Sequence, residues 1–310
     1  MPYNVLVKSR KEELKMKKVT SIVTATLMAA LILSSCGNGG NTSSSSSEAA
    51  PSSTVSSSVS SEAGDQEKIT GTVSMSGSTS MEKVAKALAE RFNEKYPDVS
   101  VDVQLGGSST GIKNAQDGVS DIGNVSRDLK DTETGLVAHK IALDGIGVVV
   151  NLANPVEDLT MEEIAKIYTG EITNWKEVGG EDMEIYVVGR EDGSGTRDAF
   201  ESVTGVGENA KYASMQTSTG AAKTTVATTP GAIGYVSFDS VDDTVKALKV
   251  GGVAISDAAI KDGTYTLQRP FVMVTKEGTT LSDAAQAFLD FVLSDEGQAI
   301  CTQVGLVAIQ

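Results

Sequence analysis

Three short segments share one chemical form: Ser76-Gly77-Ser78-Thr79-Ser80, Gly107-Ser108-Ser109-Thr110-Gly111 and Asp192-Gly193-Ser194-Gly195-Thr196. Each follows an apolar run of strand type and leads into a stretch of helical spacing. Glycine lets the backbone approach a bound group closely. Serine and threonine add rotatable O–H donors. The first N–H groups of a helix have no intrahelical partner and sit at the positive end of its dipole. One such turn is an ordinary helix cap. Three of them near predicted strand ends, where α/β folds bind ligands, point to a bound oxyanion. The third follows Arg190, whose planar fork matches a tetrahedral oxyanion and stays charged when buried. Asp192 is placed to hold that guanidinium.

The elements that must position these turns alternate between short apolar strands and amphipathic helices, which predicts an α/β fold with largely parallel sheets. Strands are expected at 69–76, 99–105, 121–125, 141–151, 184–189, 230–236 and 269–275. Helices are expected at 80–96, 111–118, 160–168, 196–203 and 282–293. The 160–168 helix opens with the capping pattern Thr160-x-x-Glu163. The long apolar run ending in Gly145-Ile146-Gly147-Val148-Val149-Val150-Asn151 suits a buried strand that passes between two lobes.

The three turns resemble those of the periplasmic-type phosphate-binding proteins. So do Thr169-Gly170-Glu171-Ile172-Thr173-Asn174-Trp175 and Pro230-Gly231-Ala232-Ile233-Gly234-Tyr235-Val236, in family order across about residues 70–305. The resemblance implies two α/β lobes joined by a two-strand hinge: lobe I over 68–146 and 265–310, lobe II over 147–264. It implies a phosphate held in the cleft by donors that replace its hydration shell. Carried over by position, the donors are Ser78, Thr79, Ser80, Ser108, Arg190, Ser194, Gly195 through its N–H, and Thr196. Asn174, Trp175 and Tyr235 match the family but read as packing residues. One departure stands out. Family members carry an acidic residue after the third strand, where this chain has Ser126-Arg127-Asp128. Arg127 is then expected as a second cationic donor and Ser126 as a hydroxyl donor. Phosphate at neutral pH keeps a proton that sulfate lacks, and a carboxylate acceptor would separate the two. Asp144 is the expected acceptor, with Asp128 the other candidate. The alternative ligand is another tetrahedral oxyanion: sulfate, molybdate or tungstate. Closure about crossovers near 145–151 and 252–270 would trap the anion for an ABC-type permease.

The N-terminus reads as an address. Lys15, Lys17 and Lys18 precede a 12-residue apolar run, Ile22 to Leu33, short of the ~20 residues a bilayer span needs. This is the form of an export signal over 1–35, with Met16 able to start it alone. Leu33-Ser34-Ser35-Cys36-Gly37 resembles the lipobox of bacterial lipoproteins, which implies cleavage before Cys36 and a diacylglycerol on its sulfur. The chain is then expected on the outer face of the cell membrane. A Ser-rich stretch within 36–67 follows as a flexible tether.

Composition excludes other roles. Residues 1–35 hold six of the 26 basic residues and two of the 41 acidic ones, so the remainder has a formal charge of −19. That charge repels nucleic acid. With Cys36 acylated, Cys301 is left without a disulfide partner, and His139 is the single histidine, too few ligands for a Cys/His zinc site. No cofactor is expected. Ser194 lacks the nucleophile-elbow spacing, and a catalytic triad would have to use His139. A monomeric, non-catalytic binding protein accounts for the turns. A structural or adhesive lipoprotein would explain only the tether.

Overall fold

The computed structural model describes residues 68–309. The export signal, Cys36 and the Ser-rich tether lie outside the described residues.

The period-two run forms β1 (Gly71–Gly77). It pairs in parallel with β2 (Val99–Leu105), from Gly71 opposite Val99 to Gly77 opposite Leu105, and with β3 (Ile122–Val125). A short 3-10 turn over Thr79–Met81 leads into α1 (Glu82–Lys95), whose Val84, Leu88 and Phe92 stripe is buried. The second helix, α2, spans Ser108–Asp117, three residues earlier than its apolar spacing suggests. Gly107 is its cap at φ 82°, a backbone angle that glycine adopts freely, so the hydroxyl residues form its first turn. The Ser109 N–H meets the Gly193 carbonyl at 3.1 Å, while Ser108 brings its hydroxyl to Ser126.

Strand β4 (Leu136–Val150) is the structural axis. Up to Gly145 it pairs antiparallel with β11 (Gln268–Lys276); from Ile146 it pairs antiparallel with β8 (Ala232–Ser237). Covered on both faces, its residues from Ile141 to Val150 read as a continuous apolar run. The chain returns beside it at Leu267, whose carbonyl accepts the Ile146 N–H at 2.7 Å. The second crossover is thus shorter than the expected 252–270 stretch, which also contains a helix over Asp257–Lys261.

On the far side of β4, β5 (Asp158–Leu159) precedes α3 (Met161–Thr169), and the Thr160–Glu163 capping box forms as expected. β6 (Tyr186–Arg190) lies parallel between β8 and β7 (Ser214–Gln216). The helices α4 (Gly195–Thr204) and α5 (Thr219–Thr228) follow β6 and β7. β9 (Lys246–Ala247) pairs with β4, and β10 (Lys249–Val250) with β5. The short helix over Asp257–Lys261 is α6. The chain closes with α7 (Asp283–Leu293), α8 (Asp295–Gln303) and β12 (Val307–Ala308). The strand order is β2-β1-β3-β11-β4-β8-β6-β7. Each half is mostly parallel, with the antiparallel pairs gathered around β4 and β11.

Two large cores flank this axis. One gathers Phe92, Phe288, Met75 and Met273; the other gathers Trp175, Tyr168, Phe200 and Tyr235. Each half is an α/β layer with its own buried aromatic centre, and the strand ends that carry the Ser/Thr turns face one another where the halves meet.

Candidate functional site

Strand β1 ends at Gly77, with φ 135°, and a side chain there would overlap the Asn124 backbone. The chain can therefore turn beside β3, and Ser78 N–H bonds the Asn124 carbonyl at 2.8 Å. This sets Ser78, Thr79 and Ser80 over the end of β3, where Ser126 sits. The hydroxyls form a connected chain. Ser78 Oγ donates to Ser126 Oγ at 2.8 Å and lies 2.9 Å from Ser80 Oγ. Ser108 Oγ lies 3.3 Å from Ser126 Oγ and accepts the Ser126 N–H at 3.1 Å. Thr196 Oγ1 donates to Ser80 Oγ at 3.3 Å, joining the two halves of the molecule.

Arg190 ends β6 and is 1% exposed. Its Nη2 donates to Thr79 Oγ1 at 3.0 Å and its Nη1 to Thr219 Oγ1 at 3.1 Å. Thr79 Oγ1 also accepts the Thr219 N–H at 3.2 Å. With both lone pairs so engaged, the Thr79 O–H is left to donate, and Thr219 Oγ1, 3.3 Å away, is its acceptor in this arrangement. Ser194 caps α4 by accepting the Arg197 N–H at 3.4 Å, which leaves its own proton available. Gly195 packs so tightly that a methyl group there would overlap Ser108 Oγ and Ser126 Oγ. Eight expected residues are therefore in contact with one another, Ser78, Thr79, Ser80, Ser108, Ser126, Arg190, Gly195 and Thr196, and a ninth, Ser194, lies next to them as the cap of α4. All eight that carry side chains are buried.

Three expectations are corrected. Arg190 is held by Glu191, whose two carboxylate oxygens accept from Nη2 at 3.0 Å and Nε at 3.3 Å; exposed Asp192 pairs with Arg197 instead. Arg127 does not reach the hydroxyls. Its Nε donates to Asp198 at 2.7 Å and its terminal nitrogens to Glu133 at 2.7 and 2.8 Å, so its fork is occupied. Asp144 is fully engaged as well. One oxygen accepts both Arg269 Nε and Nη2, at 3.0 and 2.9 Å; the other accepts Ser237 Oγ at 2.8 Å and the Phe238 N–H at 3.2 Å. Burial pushes its carboxyl up to about 7, while Arg269 pulls against that. It pins β4 to β11 at the crossover and has no lone pair to spare. Asp128 is exposed, and only its backbone carbonyl is used, by Arg127.

Two further residues join the site beyond those expected. Thr219 belongs to a fourth turn of the same form, Thr217-Ser218-Thr219-Gly220, after β7 and at the start of α5. Its Ser/Thr-Gly composition is the signal that could have found it. Asp239, in the turn after β8, lines the mouth of the gap together with Thr79, Ser80 and Thr219. It is 9% exposed, one of its carboxylate oxygens has no hydrogen-bond partner, and burial raises its titration point. His139 lies within β4, half-buried, 3.1 Å from Thr275 Oγ1.

A buried guanidinium, a ring of hydroxyls and four helix starts, set between two α/β halves on crossover strands, define a two-lobed solute-binding protein of the periplasmic type. A family model for the PBP superfamily domain matches residues 49–296. The phosphate-binding protein PstS of Bacillus subtilis (strain 168) is 37% identical over 257 residues, covering 81% of this chain and 85% of that one. A structure from Clostridium perfringens, described as a phosphate ABC transporter substrate-binding protein with bound phosphate, is 48% identical with a TM-score of 0.75, covering 77% of this chain and 100% of that one. An ABC-type phosphate transport receptor from Vibrio cholerae is 36% identical with a TM-score of 0.64, covering 76% and 99%. The chain belongs to the PBP superfamily and, within it, to the PstS family.

Proposed function

We propose that this protein captures inorganic phosphate outside the cell for an ABC-type importer and performs no catalysis. The observation that carries the reading is Arg190, buried and aimed by Glu191 at Thr79 and Thr219. A buried cation ringed by hydroxyls favours an anion that brings its own acceptor oxygens. The nine clustered residues are the proposed ligands. The proposed lobes are 68–146 with 265–310, and 147–264, closing on the anion by population shift. Donors from both lobes favour the closed form when the anion is present. The proposed anchor is diacylglycerol on Cys36, with the Ser-rich stretch as tether and the protein acting as a monomer at the outer membrane face.

With Asp144 engaged, we assign the phosphate proton to Asp239. Asp239 lines the opening with Thr79 and Ser80, one of its oxygens is buried without a partner, and burial favours its taking part in a shared proton. A carboxylate there repels sulfate, which has no proton to offer. Calorimetry on residues 66–310 tests both points. Phosphate should bind at least a hundredfold tighter than sulfate, and Asp239→Asn should narrow that ratio tenfold or more. Absence of phosphate binding defeats the functional reading. An unchanged ratio in the variant defeats only the assignment of Asp239.

A further inference from the structure

The Arg190 side chain is aimed by the groups around its guanidinium, but its backbone is held by a second set of contacts apart from the Ser/Thr hydroxyl group. The Arg190 N–H donates to Tyr235 Oη at 3.2 Å. Tyr235 O–H donates to Tyr212 Oη at 3.3 Å, and Tyr212 O–H donates to Glu201 Oε1 at 2.8 Å. The same Glu201 oxygen accepts Arg197 Nε at 2.7 Å. Arg197 Nη1 then donates back to the Arg190 carbonyl at 3.3 Å. The circuit starts and ends on one residue: N–H on one side, C=O on the other.

Sheet geometry explains why the circuit is needed. β6 pairs with β8 only through Tyr186 and Val187. Beyond that point the strands part, and the Arg190 N–H would otherwise be a buried donor without a strand partner. The Tyr235 hydroxyl fills that gap from β8 itself. Its ring cannot drift, because it stacks on Phe200 at 4.2 Å between centroids with the planes 12° apart. Arg197 is held in turn over the Tyr212 ring, 5.2 Å from its centroid. Two chains of donors leave Arg190 and Arg197 and meet at Glu201, the charged acceptor on which both end.

We propose that Tyr235, Tyr212 and Glu201 are positioning residues for anion binding, fixing the Arg190 backbone so that its guanidinium meets the ligand without a reorganisation cost. The inference rests on the reading of Arg190 as the anion-binding cation. It gives a binding role to Tyr235, which its sequence pattern marks only as packing.

The test is a double-mutant cycle read by equilibrium dialysis with radiolabelled phosphate. Tyr235→Phe keeps the ring and its stack on Phe200 and removes only the hydroxyl. It should weaken phosphate binding about tenfold, with Tyr212→Phe weakening it about threefold. In an Arg190→Ala background, Tyr235→Phe should change affinity less than twofold, because there is no guanidinium left to aim. Equal effects in both backgrounds would overturn the inference and make Tyr235 a packing residue. Near-normal binding by Arg190→Ala alone would instead overturn the site on which it rests. If Tyr235→Phe fails to fold, Tyr212→Phe carries the same cycle, with the same pair of outcomes deciding it.

Discussion

At Gly195 the backbone N–H is the proposed ligand-binding group, and the absence of a side chain is what makes room for the contact with Ser108 and Ser126. Gly195 opens α4, where its N–H has no intrahelical partner, and it rests against Ser108 Oγ and Ser126 Oγ from the other half of the molecule. A methyl group there would have to displace hydroxyls that are themselves bonded to each other and to the Ser126 N–H. Overpacking of this kind costs about 1–3 kcal/mol. On the proposed closure the cost falls on the arrangement that would hold the anion, since Ser108 and Gly195 sit in different halves. Gly195→Ala should therefore weaken phosphate binding by at least tenfold in calorimetry while thermal unfolding shifts by only a few degrees. Retention of full affinity would mean that the Ser108–Gly195 contact lies outside the binding geometry. The same logic explains why serine and threonine recur in the four turns. A hydroxyl can accept from Arg190 and still donate outward, whereas a carboxylate in that place would accept only.

The elements that carry these residues are largely legible in the sequence, because period and punctuation agree. β2 has the bounds its alternation predicts, and the Thr160 capping box forms where its pattern places it. The turn positions follow from Gly and Ser/Thr runs between strand and helix patterns. Pairing between distant elements is not legible in the same way. Arg127 and Asp144 look alike in sequence, each a charge close to a strand end near the site. Their roles are decided by Glu133 and Asp198 in one case and by Arg269 in the other, and no local spacing shows those partners. Thr219 escapes the patterns because the apolar signal of its strand, three residues long, is too short to mark the turn after it. Asp144 belongs to this scale rather than to the site. With Arg269 it ties β4 to β11 where the chain crosses between halves, and both side chains are 1% exposed or less. Replacing it with asparagine leaves Arg269 as a buried charge without its counter-ion, which costs about 3–5 kcal/mol. Asp144→Asn should lower stability by that amount in urea unfolding and leave the phosphate-to-sulfate preference unchanged. A changed preference with normal stability would restore Asp144 to the binding site.

Across the whole molecule, the two halves touch through polar contacts as well as through the crossover strands. Ser109 N–H donates to the Gly193 carbonyl at 3.1 Å, Arg190 reaches Thr79, and Thr196 reaches Ser80. Outside the hydroxyl group, Asp198 at the start of α4 accepts Arg127 Nε at 2.7 Å and Lys130 Nζ at 3.1 Å. Glu133 holds Arg127 toward that contact. Burial disfavours the Glu133 carboxylate, but the Arg127 fork and the Lys130 N–H outweigh this and hold it below the usual glutamate range. A carboxyl with a lowered folded value adds stability above its unfolded value and loses it as pH falls through the folded one. Glu133→Gln should therefore be less stable than the parent by about 1–2 kcal/mol at pH 7, with the gap closing below about pH 4.5. Asp198 acts differently, because it meets Arg127 and Lys130 from the other half of the molecule and, in the proposed opening of the halves, is the part of the network that separates. On the proposed closure these contacts belong to the closed form and add to the closing free energy and hence to affinity. Arg127 is 5% exposed, which limits screening, but Lys130 is not sheltered, so part of the effect must fade at high salt. Asp198→Asn should weaken phosphate binding by about three- to tenfold at 0.1 M salt and by less at 1 M. Solution scattering on the variant without phosphate should give a larger radius of gyration than the parent, and saturating phosphate should bring the two together. Equal radii without phosphate, together with unchanged affinity, would show that the Arg127–Asp198 pair is a surface ornament of α4 and that the hydroxyls and Arg190 close the molecule unaided.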